Sequence, residues 1–237
     1  MEINEIGLSS SDTTNRFYAT TTIPKEVDNE IGKEIQKIQQ NVGDYEKINY
    51  SLAGKINHEY DLPHMPILES YIKGCIEEVE GQIGYGKKLM KFIGNHFCHS
   101  FVSEFEYSSY WINFMKKHEY NPPHIHNGVY SWTIWYKIPY TLKGEEMTEL
   151  GQATKSHKVK NGDFVFSIVD PFLPHSVHHN FSLDNKFEKT LIIFPSNLEH
   201  SVLPFYSTDE YRITLAGNIR YKINKLNKSN SDWSLKP

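Results

Sequence analysis

The stretch Asn121-Pro122-Pro123-His124-Ile125-His126-Asn127-Gly128 leads directly into Tyr130–Ile138, a run of aromatic and β-branched residues. Runs of this kind are typical of strands, and side chains on an extended segment alternate between its two faces. His124 and His126 can therefore point in the same direction from one segment. The stretch predicts a pair of candidate metal ligands at the edge of a sheet.

Short strand-like runs alternate with turn residues from about residue 97 to the end of the folded part. The predicted strands are Phe97–Tyr107, Tyr110–Phe114, Tyr130–Ile138, Asp163–Val169, Thr190–Phe194 and Tyr211–Ile219. Prolines fall between these runs, and Asn161-Gly162-Asp163 is a hairpin-turn signal. This part of the chain predicts an antiparallel barrel or jelly roll of about eight strands.

Two amphipathic segments precede the strands. Glu30–Gln40 carries isoleucines at helical spacing, and a second helix begins at Pro66 and ends at Gly84-Tyr85-Gly86. We therefore predict one mainly β domain with N-terminal helices. Its expected parts are a polar, loosely attached arm and buttressing helices in residues 1–90, the barrel in 91–221, and a basic tail in 222–237.

Composition excludes several functional classes. The 237 residues are 38% hydrophobic and carry a net charge of −4, so a core is expected and nucleic acid is not implied as a partner. The chain shows no apolar run approaching the roughly 20 residues that span a bilayer. The first five residues, Met1 to Glu5, lack the features of a signal peptide.

Cysteine usage points to a cytoplasmic protein. Cys75 and Cys98 are the two cysteines, and their spacing fits neither a disulfide framework nor a thiolate zinc site. We expect both to be reduced core residues.

Two distant residues extend the histidine pair. His200 lies where the run Thr190–Phe194 ends in a turn, and Arg212 begins an apolar strand. Burying a guanidinium is costly unless an anion meets it, and arginine offers a fixed fork for a carboxylate. Three ligands on one side of a metal leave the other side open, which is typical of catalytic rather than structural sites.

Three segments around these residues carry a family resemblance. Asn121–Gly128 with Ser131, Phe194–Phe205, and Asp209–Arg212 running into Gly217-Asn218-Ile219 resemble the motifs of phage-type Fe(II)/2-oxoglutarate-dependent oxygenases. The resemblance covers roughly residues 105–220. It implies a double-stranded β-helix, a jelly-roll and cupin-like barrel. It also implies a hydroxylase that uses Fe(II) and O2 and decarboxylates 2-oxoglutarate to succinate, acting in the host cytoplasm if phage-encoded.

The resemblance also assigns residue roles. His124 and His200 would bind iron, and Arg212 would hold the distal carboxylate of 2-oxoglutarate. The wider superfamily carries Asp or Glu where this chain has His126, so either His126 is the third ligand or water or another carboxylate completes the set. Further candidates for the co-substrate pocket, each with a structural role as its alternative, are Trp111, Tyr130, Asn113 and Asn218.

Other interpretations stay open at this level. The barrel could be a cupin-like metal-binding module or a virion structural protein, neither turning over 2-oxoglutarate. Arg212 could form a surface pair with Asp209 or Glu210. The remaining histidines are predicted to be inert, as a solvated loop (His175, His178, His179) or as sheet residues (His96, His99). The substrate, small or macromolecular, is not identified by the sequence, and the helices could form a homodimer face.

Overall fold

The computed structural model describes residues 3–7, 16–49, 53–97, 105–153, 160–168 and 177–222. Within these residues the chain forms five α-helices, α1 Lys25–Gln40, α2 Pro66–Ile83, α3 Tyr85–Phe97, α4 Leu142–Glu146 and α5 Glu149–Ala153. It also forms eleven strands, β1 Glu5–Gly7, β2 Tyr18–Thr22, β3 Glu59–Asp61, β4 Phe105–Met115, β5 Asn121–His124, β6 Tyr130–Lys137, β7 Phe164–Ile168, β8 Val177–Phe181, β9 Thr190–Pro195, β10 His200–Val202 and β11 Arg212–Tyr221.

The strands form two antiparallel sheets. The larger has the order β1-β2-β9-β6-β11-β4-β3, and the smaller has the order β5-β10-β7-β8. This mainly β architecture with flanking helices is the predicted double-stranded β-helix. None of the helices in the described residues is both long and apolar enough to cross a bilayer.

The two faces of the large sheet bury two separate cores, because side chains alternate along each strand. On β4, Tyr110, Ile112 and Phe114 pack towards helices α1 and α2. Met115 belongs instead to the core between the two sheets. The residues between them, Trp111 and Asn113, share the inner face with Met115 by this alternation. The functional candidates on β4 thus face the interior of the barrel.

The helices close the outer face of the large sheet. Buried residues of α1 recur every three or four positions (Val27, Ile31, Ile35 and Ile38), the spacing that places them on one helical face. The structure confirms the helix predicted at Pro66, with Pro66 in the first turn and Gly84 in the left-handed region at φ 62°.

Helix α3 is an element that the sequence prediction missed. Its first turn follows Gly84 directly because the carboxylate of Glu80 accepts hydrogen bonds from the amides of Gly86 (2.8 Å) and Lys87 (2.9 Å). The predicted strand Phe97–Tyr107 is therefore wrong at its start: Phe97 ends α3, and β4 begins at Phe105. Cys98 and His99 lie outside the described residues, whereas Cys75 is buried in α2 as expected.

The N-terminal segment enters the large sheet instead of forming a loose arm. Strand β2 lies between β1 and β9, and Phe17 is 0% exposed. Strand β3 likewise precedes residue 91 and pairs with β4. Residues before the predicted barrel boundary therefore supply strands of its larger sheet.

The remaining sequence predictions for strands hold with small changes of boundary. Five predicted runs coincide with β4, β6, β7, β9 and β11, although Val169 lies outside the described residues. Gly162 has a φ of 79° in a turn, as the Asn-Gly signal predicts. The turn leads into β7, which pairs with β8 and β10. Among the described residues it therefore does not close a hairpin.

Candidate active site

Pairing within the small sheet places His124 and His200 side by side. Strand β10 pairs with β5 so that His200 lies opposite His124, and their ring centroids are 4.3 Å apart. β5 is an edge strand, where Pro122 and Pro123 cost no ladder hydrogen bond to a further strand. Two histidines that are 76 positions apart in sequence are thus joined by one register.

His126 reaches the same place from the loop after β5. Its backbone amide donates a hydrogen bond to the carbonyl of Ser196 (2.8 Å), and its ring centroid is 5.0 Å from that of His200. One ligand nitrogen from each of His124, His126 and His200 lies within 4.8 Å of the others. Imidazole nitrogens bind metals at about 2 Å, so the three nitrogens would share one ion after moving closer together.

Hydrogen bonds to carbonyl groups orient two of the three rings. His124 Nδ1 lies 2.7 Å from the carbonyl oxygen of Pro122, and His200 Nδ1 lies 3.0 Å from that of Leu198. Because a carbonyl only accepts, each Nδ1 carries the proton and each Nε2 keeps a free lone pair. Metal-binding histidines are commonly held in this way.

The three imidazoles are neutral at neutral pH. Burial lowers the pKa of His126 to about 4, and the neighbouring His124 acts in the same direction. Burial also lowers the pKa of His124 and, well below its usual value, that of His200. The site is therefore ready to bind a cation without first releasing protons.

A cavity of about 440 Å³ opens beside the three histidines. It is lined by Ile48, Ala53, Asp61, Ser108, Ser109, Trp111, His124, Ile125, His126, Asn127 and Asn218. The sequence analysis missed Asp61, Ser108 and Ser109, because β3 has only three residues and the two serines lie in a predicted gap between strands. Two of the candidates from the sequence, Trp111 and Asn218, are among these lining residues, and the ring centroid of Trp111 is 5.7 Å from that of His126.

Arg212 is buried, with 2% of its surface exposed. Its guanidinium donates to the hydroxyl of Tyr140 (2.9 Å) and the carbonyl of Gly162 (3.2 Å), and also contacts Met115 Sδ (2.8 Å). Its Nε has no hydrogen-bond partner. Asp209 and Glu210 instead form ion pairs with Lys117 (2.9 Å) and Lys137 (2.5 Å), so the alternative of a surface pair with Arg212 is wrong.

The guanidinium of Arg212 has no counter-ion within the described residues, since none of their ion pairs includes it. Burial raises the pKa of Tyr140 even though Arg212 acts against that shift, so the phenol stays neutral. The carboxylate of Asp163 accepts from the amide of Lys160 (2.7 Å) instead. A buried charge and an unpartnered N–H fit a carboxylate ligand, because an uncompensated buried ion costs several kcal/mol.

Asn113 also carries an unsatisfied polar atom. It lies opposite Thr214 in the β4–β11 pair, two residues along each strand from the pair formed by Met115 and Arg212. Its Nδ2 donates to Thr214 Oγ1 at 3.4 Å, whereas its buried Oδ1 has no partner. Asn218 differs, because its Oδ1 already accepts a hydrogen bond from Ser131 Oγ (2.7 Å). Asn113 thus has an oxygen that can accept a hydrogen bond from a ligand, whereas Asn218 is the one of the two that lines the cavity.

Tyr130 does not line this pocket, which corrects the sequence prediction. Its side chain lies on the helix-facing side of β6, where its hydroxyl donates to Glu80. Its ring packs against Phe17 and Tyr85. The prediction failed because the strand faces alternate: Ser131 points inward, so its neighbour Tyr130 points outward.

His178 and His179, the described members of the second histidine cluster, form no metal site with other described residues. His178 and His179 lie on strand β8 instead of a loop, and His175 lies outside the described residues. His178 contacts Ser167 Oγ (3.2 Å), whereas the ring of His179 packs against Tyr18. Within the described part of the chain, the only group of three metal-binding side chains is His124, His126 and His200. His96 lies in α3, not in a strand.

Comparison with known proteins agrees with this geometry. Residues 109–218 match the family model described as "Putative 2OG-Fe(II) oxygenase". No curated protein matches the chain. The matched segment includes His124, His126, His200 and Arg212, and it favours an oxygenase over a cupin-like module or a virion protein.

Solved structures also match the chain. A prolyl-4-hydroxylase from Pseudomonas putida matches with a TM-score of 0.50 and 12% identity, over 86% of this chain and 92% of that one. An oxidoreductase of the 2OG-Fe(II) oxygenase family from Burkholderia pseudomallei has a TM-score of 0.44 and 15% identity, over 87% and 88%. A Trichoplax adhaerens prolyl hydroxylase, in complex with a peptide fragment of a hypoxia-inducible factor, has a TM-score of 0.45 and 11% identity, over 86% and 82%.

Proposed function

We infer that this chain, which belongs to the 2-oxoglutarate- and Fe(II)-dependent oxygenases, binds iron through His124, His126 and His200 and anchors 2-oxoglutarate on Arg212. Fe(II), 2-oxoglutarate and O2, when bound, supply the oxidative decarboxylation that forms succinate and hydroxylates a C–H bond of the substrate. The observation that carries this proposal is the buried guanidinium of Arg212, which has no counter-ion among the described residues, in a barrel that also holds three neutral imidazoles.

In this proposal His124, His126 and His200 would hold the Fe(II) ion at one side of the cavity. Carbonyl bonds to Nδ1 of His124 and His200 keep Nε2 directed away from the backbone. Three protein ligands on one side leave positions for a bidentate co-substrate and O2. Three neutral ligands also leave the full double charge of Fe(II), which the dianion 2-oxoglutarate would balance.

Arg212 supplies the second point of attachment. Tyr140 and the carbonyl of Gly162 fix the orientation of the guanidinium, so it loses little freedom when a carboxylate binds. Phe164 and Phe205 of the inner core are 2% and 0% exposed. Such packing excludes water, and a charge-assisted hydrogen bond is stronger in that environment.

The cellular setting is also a proposal. We propose that the enzyme acts in the cytoplasm, which is supported by the need to keep iron in its Fe(II) form. Association into a homodimer through the helices stays a prediction.

The experiment that tests this function is an anaerobic titration with Fe(II) and 2-oxoglutarate, followed by exposure to air. We expect a weak visible charge-transfer band under anaerobic conditions and succinate formation in air. A cupin-like or structural protein gives neither signal. Wild-type protein that binds Fe(II) but yields no band and no succinate contradicts the proposed function.

Arg212→Met tests the anchoring role within the same titration. We expect the dissociation constant for 2-oxoglutarate to rise roughly 30-fold to 1000-fold, since removing a charge-assisted bond to a buried ligand costs about 2–4 kcal/mol. Arg220→Met is the matched control, because Arg220 lies on the same strand but is exposed and paired with Glu106 (2.8 Å). Wild-type affinity in a folded Arg212→Met protein contradicts the assignment.

A further inference from the structure

The cavity beside the histidines has an uneven charge. Asp61 is its one carboxylate, and neither lysine nor arginine is among its described lining residues. Any cation that reaches this cavity therefore meets a carboxylate that has no ion-pair partner among the described residues.

Pairing of strands places Asp61 next to the candidate iron site. Asp61 lies opposite Trp111 in the β3–β4 ladder, and Trp111 packs against His126. The backbone of Asp61 is fixed by its amide, which donates to the carbonyl of Glu46 (3.0 Å). The backbone of Asp61 is thus fixed opposite Trp111, and its exposed side chain lines the cavity beside the three histidines.

The surroundings of Asp61 favour a cationic partner over an anionic or neutral one. Partial burial raises the pKa of Asp61, and the nearby carboxylate of Glu46 raises it further. An ammonium ion bound there would relieve both effects. The indole of Trp111 offers a face for a cation, and the hydroxyls of Ser108 and Ser109 can accept the remaining N–H bonds of an ammonium group.

We propose that Asp61 binds a protonated amino group, and that the substrates of this enzyme are amines in which a C–H bond within reach of the iron is hydroxylated. The proposal rests on the oxygenase function proposed above. In the reaction one atom of O2 enters the C–H bond as a hydroxyl group, and the other enters succinate as 2-oxoglutarate loses CO2. The substrate and 2-oxoglutarate each give up two electrons to O2, so atoms and electrons balance.

The test compares probes of equal length that differ in charge. Pentylamine, 1-pentanol and pentanoate are supplied with Fe(II), 2-oxoglutarate and air, beside a lysine-containing tripeptide and its acetyl-lysine counterpart. We expect succinate formation above the substrate-free rate, and a product heavier by one oxygen, with pentylamine or the lysine peptide. The alcohol, the carboxylate and the acetylated peptide should be at least 10-fold less effective. Comparing pentylamine with the lysine peptide shows whether the bound amino group belongs to a free amine or to a lysine side chain.

Variants separate recognition by Asp61 from a structural role. Asp61→Asn should raise KM for the active amine at least 10-fold with a smaller change in kcat, and Asp61→Glu should restore part of the affinity. Asp209→Asn makes the same change of charge at an exposed position paired with Lys117, and should leave that KM within twofold of wild type.

Two kinds of failure are distinguishable. The amine proposal is overturned by any of three results in a wild-type protein that still makes succinate without substrate. These are succinate formation stimulated equally by the alcohol or the carboxylate, no stimulation by either amine, and an unchanged KM in Asp61→Asn. A wild-type protein that gives neither the charge-transfer band nor succinate contradicts the oxygenase function itself.

Discussion

Arg212 and Glu59 are residues that the fold buries at a cost. Arg212 has 2% of its surface exposed and Glu59 has 1%, and neither forms an ion pair among the described residues. For Arg212 the cost is explained by a carboxylate ligand, as argued above. For Glu59 the cost is reduced by protonation: burial raises its pKa to about 7, and the carboxylate of Glu119 acts in the same direction.

Glu59 gives a prediction about stability and pH. Its folded-state pKa of about 7 lies above the ordinary value of 4.5, so its contribution to stability is complete below about pH 4.5 and is lost as the pH rises through 7. Glu59→Gln resembles the protonated acid. At pH 8 its free energy of unfolding, measured by urea denaturation, should exceed that of wild type by about 1–3 kcal/mol.

The comparison with pH 5 provides the internal reference for Glu59. At that pH wild type and Glu59→Gln should be equally stable within about 1 kcal/mol, because the wild-type acid is already protonated in the fold. The matched control is Glu26→Gln, since Glu26 is exposed on α1. A Glu59→Gln protein whose stability relative to wild type is the same at pH 5 and pH 8 contradicts the assignment.

At the scale of elements, the loop between β5 and β6 determines where His126 lies. Gly128 in this loop has a φ of 133°, and a Cβ atom there would lie 2.7 Å from the carbonyl oxygen of Ile219. Flanking hydrogen bonds tie the loop to its neighbours, with Val129 donating to Ile219 (2.8 Å) and His126 to Ser196 (2.8 Å). The position of His126 therefore depends on Gly128, where there is no room for a Cβ atom.

Gly128→Ala should damage both stability and metal binding. The strained φ and the close contact are expected to cost about 1–3 kcal/mol, and displacement of the loop should weaken Fe(II) binding at least 10-fold, measured by anaerobic titration. Gly43→Ala is the control, because nothing lies within 4 Å of a Cβ atom at Gly43. If Gly128→Ala leaves the affinity for Fe(II) unchanged, the claim that this loop positions His126 is wrong.

The elements also show why prediction from the sequence succeeded unevenly. Long runs such as Tyr130–Ile138 have enough residues to show a strand pattern, and they were placed well. Strands of three or four residues, such as β3 and β10, have no periodicity to detect. Helix α3 begins where the carboxylate of Glu80, six residues earlier, accepts a hydrogen bond from the amide of Gly86, a contact that the pattern of apolar residues does not indicate. The failure at Tyr130 was an error of one position in strand facing.

At the scale of the whole molecule, the candidate site exists only because the two sheets face each other. The three histidines come from the small sheet and its following loop, whereas Arg212, Trp111 and Asn113 come from the large sheet. The family motifs identified the histidines and Arg212 from the sequence alone. Asp61 escaped prediction because only the pairing of β3 with β4 brings it to the cavity.

The N-terminal segment should be part of the cooperative unit. Phe17 is 0% exposed and its ring contacts Tyr85 of α3 and Tyr130 of β6. Phe17→Ala is expected to lower the free energy of unfolding of the whole chain by about 3–5 kcal/mol, measured by urea denaturation with fluorescence. Thr22→Ala, at an exposed position of β2, should change it by less than about 1 kcal/mol. A small effect of Phe17→Ala would mean that this segment is the loose arm that composition indicates.

The central claim is that three imidazoles bind iron while Arg212 binds the far carboxylate of 2-oxoglutarate. The most direct measurement is a crystal structure of the protein with Fe(II) and 2-oxoglutarate, grown without oxygen. We predict one iron bound by His124, His126 and His200, and one 2-oxoglutarate carboxylate on the guanidinium of Arg212. Iron completed by water or a carboxylate in place of His126, or 2-oxoglutarate bound away from Arg212, would contradict the account.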